Sequence, residues 1–93
     1  MIVGFACKDT RAIAEGRLVK RFSKDLVKAI ELKLEMLDNV TSLEDLRHPP
    51  GNRLEALKGD RAGQYSIRVN AQWRLCFVWT TKGPNHVEVV DYH

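Results

Sequence analysis

The sequence predicts an α+β fold in which an N-terminal strand and two helices pack on one face of a small antiparallel sheet. Helical periodicity is confined to the first half of the 93-residue chain, and strand periodicity to the second half. Helices followed by an antiparallel meander are typical of layered α+β domains. The length and the hydrophobic content of 44% suffice for one core, so residues 1–93 are expected to form a single domain.

The N-terminal half carries the predicted helices. An apolar run at residues 2–5 predicts a strand, after which Asp9 or Thr10 can cap a short helix that Gly16 ends. A longer helix is predicted from Ser23, because serine is a favoured N-cap residue. The apolar stripe of this helix recurs every three or four residues and comprises Leu26, Ile30, Leu34 and Leu37.

Sheet is predicted for the second half. After one more helical turn at residues 43–46, two prolines prevent further helix. A short strand at 54–57 precedes two strands, 65–69 and 73–79, in which polar and apolar residues alternate. The three residues between those strands suit a hairpin, and a turn at 80–85 leads to a last strand at 87–90.

Charge is segregated along the chain, although the net charge is only +3. Residues 1–30 hold seven Lys or Arg against three acidic residues, and residues 46–74 hold six against two. Residues 31–45 hold one against five, so this segment is acidic and either faces solvent or helps to hold a partner. The basic segments suit a polyanion, although ordinary solvated faces explain the same counts equally well.

Cysteine use and hydropathy argue against several classes of protein. Cys7 and Cys76 form no metal-binding motif, and the N-terminus has no apolar signal region. The apolar stretches are far shorter than the roughly 20 residues that cross a bilayer. We therefore expect a cytoplasmic protein with reduced thiols, no metal, no cofactor and no membrane partner.

Cationic and aromatic side chains on the strands form the candidate site. We expect Arg74 to point away from the neighbouring tryptophans, toward the sheet face that the helices leave open, with Arg68 on the same face. If the last strand neighbours these strands, we expect the same concave face to include Lys58, Tyr92 and His93. RNA cleavage needs such a set, because a 2′-hydroxyl loses a proton, the phosphorane gathers negative charge and the 5′-oxygen accepts a proton.

Four motifs in the second half resemble one known family. They are Pro-Pro-Gly-Asn-Arg-Leu-Glu-Ala-Leu at 49–57, Leu-Lys-Gly-Asp-Arg-Ala-Gly at 57–63, Trp-Arg at 73–74 and Asp-Tyr-His at 91–93. In this order they resemble the HigB-type toxins of the RelE/ParE superfamily. The resemblance implies a toxin of a type II toxin–antitoxin pair that cleaves mRNA in the ribosomal A site. Its implied partners are the 70S ribosome, mRNA and a helix-turn-helix, HigA-like antitoxin, with operator DNA bound only through the antitoxin.

The same resemblance implies where the RNA is held. Lys58 and Arg74 match phosphate-contacting basic residues of the family, and both would stabilise the charge of the phosphorane. Arg61, within the Leu-Lys-Gly-Asp-Arg motif, and Arg68 are further candidates for binding RNA or phosphate.

The C-terminal motif matches the functional C-terminus of the family. His93 is assigned to proton transfer, since histidine ionises near neutral pH. Tyr92 would stack on or orient a base, and Asp91 would orient its neighbours. The chain departs from the family at Glu55, where the best-studied members have a histidine, so Glu55 is an uncertain acid or base.

Two other functions fit the same fold, because fold does not determine function. One is a ParE-like poison of DNA gyrase that cuts no RNA. The other is a non-catalytic module that binds nucleic acid or an antitoxin. The cluster of Arg74, Tyr92 and His93 favours RNA cleavage, since gyrase poisoning does not require it.

Overall fold

The computed structural model describes residues 1–91 and, over that range, places helices on one face of a four-stranded antiparallel sheet. The strands are β1 (Glu55–Ala56), β2 (Tyr65–Arg68), β3 (Trp73–Thr80) and β4 (Gly83–Asp91), adjacent in the order of the sequence. The helices are α1 (Lys8–Ala14) and α2 (Lys24–Asn39), with 3₁₀ turns at Leu43–Arg47, Pro50–Asn52 and Gly59–Arg61. The predicted α+β meander is confirmed.

The N-terminal segment lies along β4 but does not form the strand that the sequence predicted. Its pairing is limited to one isolated parallel bridge between Phe5 and Val87, and the amide of Val87 donates to the carbonyl of Gly4 at 3.1 Å. Gly83 is required where this segment meets β4, because its φ is +129° and a Cβ there would lie 2.2 Å from the carbonyl oxygen of Met1. The segment therefore covers the edge of β4 without extending the sheet.

Helix α1 begins one residue earlier than Asp9 and lacks the predicted cap. Cys7 occupies the N-cap position and makes no side-chain capping bond. Thr10 is instead buried within the first turn, where its hydroxyl accepts a hydrogen bond from the Val89 amide at 3.0 Å. This bond satisfies a backbone donor on the outer edge of β4, so the threonine ties α1 to the sheet.

Helix α2 supplies most of the helical side of the core. As predicted, the Ser23 hydroxyl accepts a hydrogen bond from the Leu26 amide, at 3.1 Å. The buried stripe comprises Val27, Ile30, Leu34 and Leu37. Leu26 is only partly buried, and the adjacent valine takes its place in the core. Among residues 1–91, no helix combines the length and the apolar composition needed to span a membrane.

Tight hairpins join β2 to β3 and β3 to β4. The Asn70 side chain accepts from the backbone amides of Gln72 and Trp73 at 2.9 and 2.8 Å, which confirms the predicted β2–β3 hairpin. The next turn is tighter than predicted, because Thr80 pairs directly with Gly83. The first turn fixes the pairing of β2 with β3. Between the second turn and Arg74, an irregularity between Cys76 and Val78 shifts the pairing of β3 with β4 by one residue.

Replacing Ser23 with alanine should destabilise the protein by about 1 kcal/mol, because the side-chain oxygen that satisfies the Leu26 amide is lost. Urea unfolding measures the change. Ser42→Ala is the matched control, since Ser42 precedes a 3₁₀ turn without making a side-chain capping bond. Equal effects of the two substitutions would contradict the role of Ser23 as a cap.

Candidate functional site

The sheet face opposite the helices carries the candidate site. The register places Ser66 beside Cys76 and Arg68 beside Arg74, and side chains two residues apart on a strand share a face. A cleft of about 390 Å³ opens on this face. It is lined by Arg53, Glu55, Arg68, Asn70, Ala71 and Arg74.

This face is less open than the sequence predicted. Ser66 and Cys76 are fully buried, and Arg74 is only 8% exposed. Burial raises the pKa of the Cys76 thiol, which therefore stays protonated at neutral pH. Part of this face is therefore covered, and the arginine-lined cleft is a part that stays accessible.

Arg74 is fixed in one orientation by acceptors on both sides. Its Nε donates to the Ser66 hydroxyl at 2.7 Å, and its Nη2 donates to the carbonyl of Arg53 at 2.5 Å and to that of Ser66 at 3.3 Å. Nη1 lies 4.0 Å from Oε1 of Glu55, whose side chain is about half exposed. Fixing so long a side chain costs up to about 2 kcal/mol of rotamer entropy. Because that cost is met during folding, the guanidinium is oriented before any ligand binds.

Positive charge is concentrated in the cleft although it lowers the stability of the fold. Arg68 and Arg74 are direct cross-strand partners, an arrangement of like charges that destabilises a sheet, by about 0.2–1 kcal/mol on the usual scale of such pairs. Arg53 adds a third guanidinium, and among residues 1–91 Glu55 is the one carboxylate in the lining. Guanidinium groups bind phosphate oxygens through paired N–H donors. The cleft is therefore suited to a phosphate or another oxyanion.

A buried asparagine holds the loop that leads into this cleft. The Nδ2 of Asn52 donates to the carbonyls of Leu46 and His48, each at 3.1 Å, and its Oδ1 accepts from Nζ of Lys33 at 2.6 Å. Arg53 follows in the left-handed conformation, with φ 46° and ψ 56°, which costs a non-glycine residue about 1–2 kcal/mol. The asparagine thus supports the strained residue whose carbonyl accepts from the buried guanidinium.

Lys33 brings a further cation toward the cleft from the helical layer. Burial, together with the positive charge of Arg68, lowers the pKa of its ammonium group. Lys33 lies on α2 and was not predicted as a site residue. Lys33 is not in the lining of the cleft, and it acts on the site through its hydrogen bond to Asn52.

Two of the predicted phosphate-binding residues lie outside the lining. Lys58 is exposed at the start of the 3₁₀ turn Gly59–Arg61. Arg61 forms an ion pair with Glu88 at 2.8 Å and donates to the Gln64 side chain at 3.0 Å. The structure therefore brings together Arg68 and Arg74 but separates Lys58 and Arg61 from the cleft, and their phosphate roles stay predictions.

The predicted C-terminal group is described only in part. Asp91 ends β4, pairs in register with Trp73, and accepts a hydrogen bond from the Gln72 side chain at 3.1 Å. Tyr92 and His93 lie outside the described residues. The structure therefore places the last described residue of β4 beside the strand that carries Arg74.

Sequence reasoning missed the supporting residues of the site. Strand alternation alone places Ser66 on the face of Arg68, so that signal was present in the sequence. For Arg53 and Asn52 no local signal exists, because their roles depend on a backbone carbonyl and on side-chain bonds across the loop.

Asn52→Ala should lower the free energy of unfolding by about 2–3 kcal/mol, because buried carbonyls and the Lys33 ammonium lose their partner. Thermal or urea unfolding measures the loss. Asn39→Ala is the control, since Asn39 is exposed and donates to one helix carbonyl, and it should cost less than about 1 kcal/mol. A loss no larger than that of the control would contradict the supporting role.

Comparison with known proteins identifies the family. A family model described as "RelE-like toxin of type II toxin-antitoxin system HigB" matches residues 11–93. Toxin HigB-1 of Vibrio cholerae is 55% identical over 51 residues, which cover 55% of this chain and 54% of that toxin, so the match spans about half the length of that relative. Endoribonuclease HigB of Proteus vulgaris is 30% identical over 93 residues and is aligned over 100% of both chains.

Solved structures share the fold at lower sequence identity. The YoeB–YefM complex from Staphylococcus aureus contains a chain that is 22% identical, with a TM-score of 0.63, covering 100% of this chain and 95% of that one. A YafQ mutant from E. coli is 17% identical, with a TM-score of 0.68, covering 98% and 91%. Because the family match runs from residue 11 to residue 93, this chain belongs to the HigB-like toxins, the RelE-like toxins of type II toxin–antitoxin systems.

Proposed function

We propose that this chain is a ribosome-dependent endoribonuclease that cuts mRNA in the ribosomal A site and thereby arrests translation. The observation that carries the proposal is the buried, oriented Arg74 guanidinium facing a cleft that also contains Arg68 and Arg53. A relative aligned over its whole length is named an endoribonuclease. That name and this geometry support the same chemistry.

The proposed reaction needs no group beyond the chain, the RNA and water. The 2′-oxygen attacks the adjacent phosphorus and loses its proton to a base, and the bond from phosphorus to the 5′-oxygen breaks as that oxygen gains a proton. The products are a 2′,3′-cyclic phosphate and a free 5′-hydroxyl. Arg74 would stabilise the phosphorane through the positive charge of its guanidinium, which is oriented before charge develops, and Arg68 would bind the same or the next phosphate.

Proton transfer is assigned to Glu55 and His93. Glu55, half exposed and 4.0 Å from Arg74, is the proposed base, and the nearby guanidinium offsets its negative charge beside the phosphate. His93 is the proposed acid for the 5′-oxygen. Tyr92 would stack on a base and Asp91 would orient these residues. Asp91 pairs in register with Trp73, the residue before Arg74, so β4 ends beside the segment of β3 that carries Arg74.

The proposed activity implies an RNA substrate, an inhibitory protein partner and a cellular location. The substrate is mRNA held by the 70S ribosome, and Lys58 and Arg61 would contact RNA outside the cleft. The inhibitor is a helix-turn-helix antitoxin, through which alone the pair would bind operator DNA. Action on the ribosome implies a cytoplasmic protein.

Arg68→Gln should lower cleavage about 10²-fold, since a cation of the cleft is removed. The same substitution should leave stability unchanged or raise it by about 0.2–1 kcal/mol, because like-charge repulsion with Arg74 is relieved. Single-turnover cleavage of mRNA on programmed 70S ribosomes and urea unfolding measure the two effects.

Arg47→Gln is the matched control for this experiment, because Arg47 is exposed and pairs with Glu44 outside the cleft. It should retain the parental rate. Full cleavage activity of a folded Arg68→Gln protein would place the reaction elsewhere. Mapping of new mRNA 5′ ends after induction, beside a DNA supercoiling assay, separates cleavage from gyrase poisoning.

His93→Gln should lower the rate of cleavage by about 10²–10⁴-fold, the usual contribution of general acid–base catalysis. Binding to programmed ribosomes should change little, since the ring would act in proton transfer. The rate at saturating protein and the concentration that gives half of it measure the two effects separately. His86→Gln, on an exposed residue of β4, is the control. A His93→Gln protein with an unchanged rate would remove His93 from the mechanism.

A further inference from the structure

A second concave surface lies in the helical layer and shares no lining residue with the arginine cleft. It is a groove of about 470 Å³ between α1, α2 and the N-terminal segment. Its apolar lining includes the buried Ile13 and Leu34 and the partly buried Ile2 and Phe5. Four exposed carboxylates, Glu15, Glu31, Glu35 and Asp38, complete the lining, and we call this surface the acidic groove.

The sign of the charge in the acidic groove is opposite to that of the protein. The chain has a net charge of +3, yet the groove's lining contains four carboxylates and no lysine or arginine. Glu15 pairs with Arg17, but both side chains are at least half exposed, so water screens that pair. Within residues 1–91, neither Glu31 nor Glu35 forms an ion pair. The groove therefore keeps a local negative field.

Asp38 supports the fold by accepting a hydrogen bond from the Ile2 amide at 2.8 Å, but the remaining contributions of the α2 carboxylates are unfavourable. Glu31 and Glu35 are four residues apart on α2, where like charges repel by about 0.2–0.5 kcal/mol. Asp38 lies in the last turn of α2, and that turn contains no basic residue. A carboxylate at this end is disfavoured by the helix dipole. A cationic partner would convert each of these costs into attraction.

We infer that the acidic groove binds an amphipathic, cationic helix of the antitoxin, with apolar side chains on the groove floor and Lys or Arg on its rim. Membership of a type II toxin–antitoxin family supplies a protein partner, and charge complementarity selects its basic segment. RNA and anionic lipid are repelled by the same carboxylates. The inference does not depend on the ribonuclease proposal.

Binding in the acidic groove leaves the arginine cleft uncovered. The groove lies in the helical layer, whereas the cleft lies on the opposite face of the sheet. An antitoxin helix seated here would not contact Arg68 or Arg74.

The test compares Glu31→Gln/Glu35→Gln with the parental chain in calorimetric titrations with the full-length cognate antitoxin. We expect affinity to fall at least about tenfold at low salt, and the salt dependence of binding to shrink, because rim attraction is lost. The thermal midpoint should stay the same or rise, since a repulsive pair is removed. A purely structural role for these glutamates would instead lower the midpoint together with the affinity.

Controls separate this surface from its alternatives. Glu44→Gln/Asp60→Asn removes the same charge at exposed positions outside the groove, and it should bind antitoxin within about twofold of the parent. Arg68→Gln should do the same, because it alters only the cleft. Unchanged affinity of the Glu31→Gln/Glu35→Gln protein would overturn the inference. So would a dimer of the free chain that the double substitution dissolves, since a second copy would then occupy the groove.

Discussion

The hydrogen bonds of Arg74 connect the parts of the molecule on which its proposed chemistry depends. Its guanidinium joins β3 to the hydroxyl and carbonyl of Ser66 on β2 and to the carbonyl of Arg53 in the preceding loop. A nearly buried cation is costly unless its donors are satisfied. The loop must therefore adopt the conformation that supplies the Arg53 carbonyl, and Asn52 maintains it through bonds to two further carbonyls and Lys33. Cleft shape and cation orientation follow from one buried network.

The sheet makes this network possible because its edges and register are tightly determined. The outer edge of β4 is covered by the N-terminal segment and by the Thr10 hydroxyl, which accepts from a strand amide. The tight β2–β3 turn fixes the pairing of those two strands, in which a slip by one residue would move every side chain of a strand to the opposite face. Arg68 and Arg74 are consequently held side by side despite their repulsion. Charged side chains whose repulsion destabilises the fold are characteristic of a ligand-binding surface.

The two concave surfaces divide the molecule by charge. The arginine cleft faces away from the helices, and the acidic groove lies among them. This arrangement would direct a polyanion and a basic polypeptide to different sides of one small chain. The segregation of charge along the sequence anticipated this division, since residues 46–74 line the cleft and the acidic segment from residue 31 contributes most of the groove's rim.

Periodicity in the sequence was enough to determine the α+β class, helix α2 with its Ser23 cap and the β2–β3 hairpin, because each depends on neighbours in the chain. The order of the motifs was enough to predict membership of the toxin family. Strand alternation likewise put Arg68 and Arg74 on one face. Only the tertiary structure decided that Arg74 is buried, that Arg53 and Asn52 support it, that Arg61 pairs with Glu88, and that the N-terminal segment makes a single bridge. These features depend on contacts between residues far apart in sequence, about which local patterns carry no information.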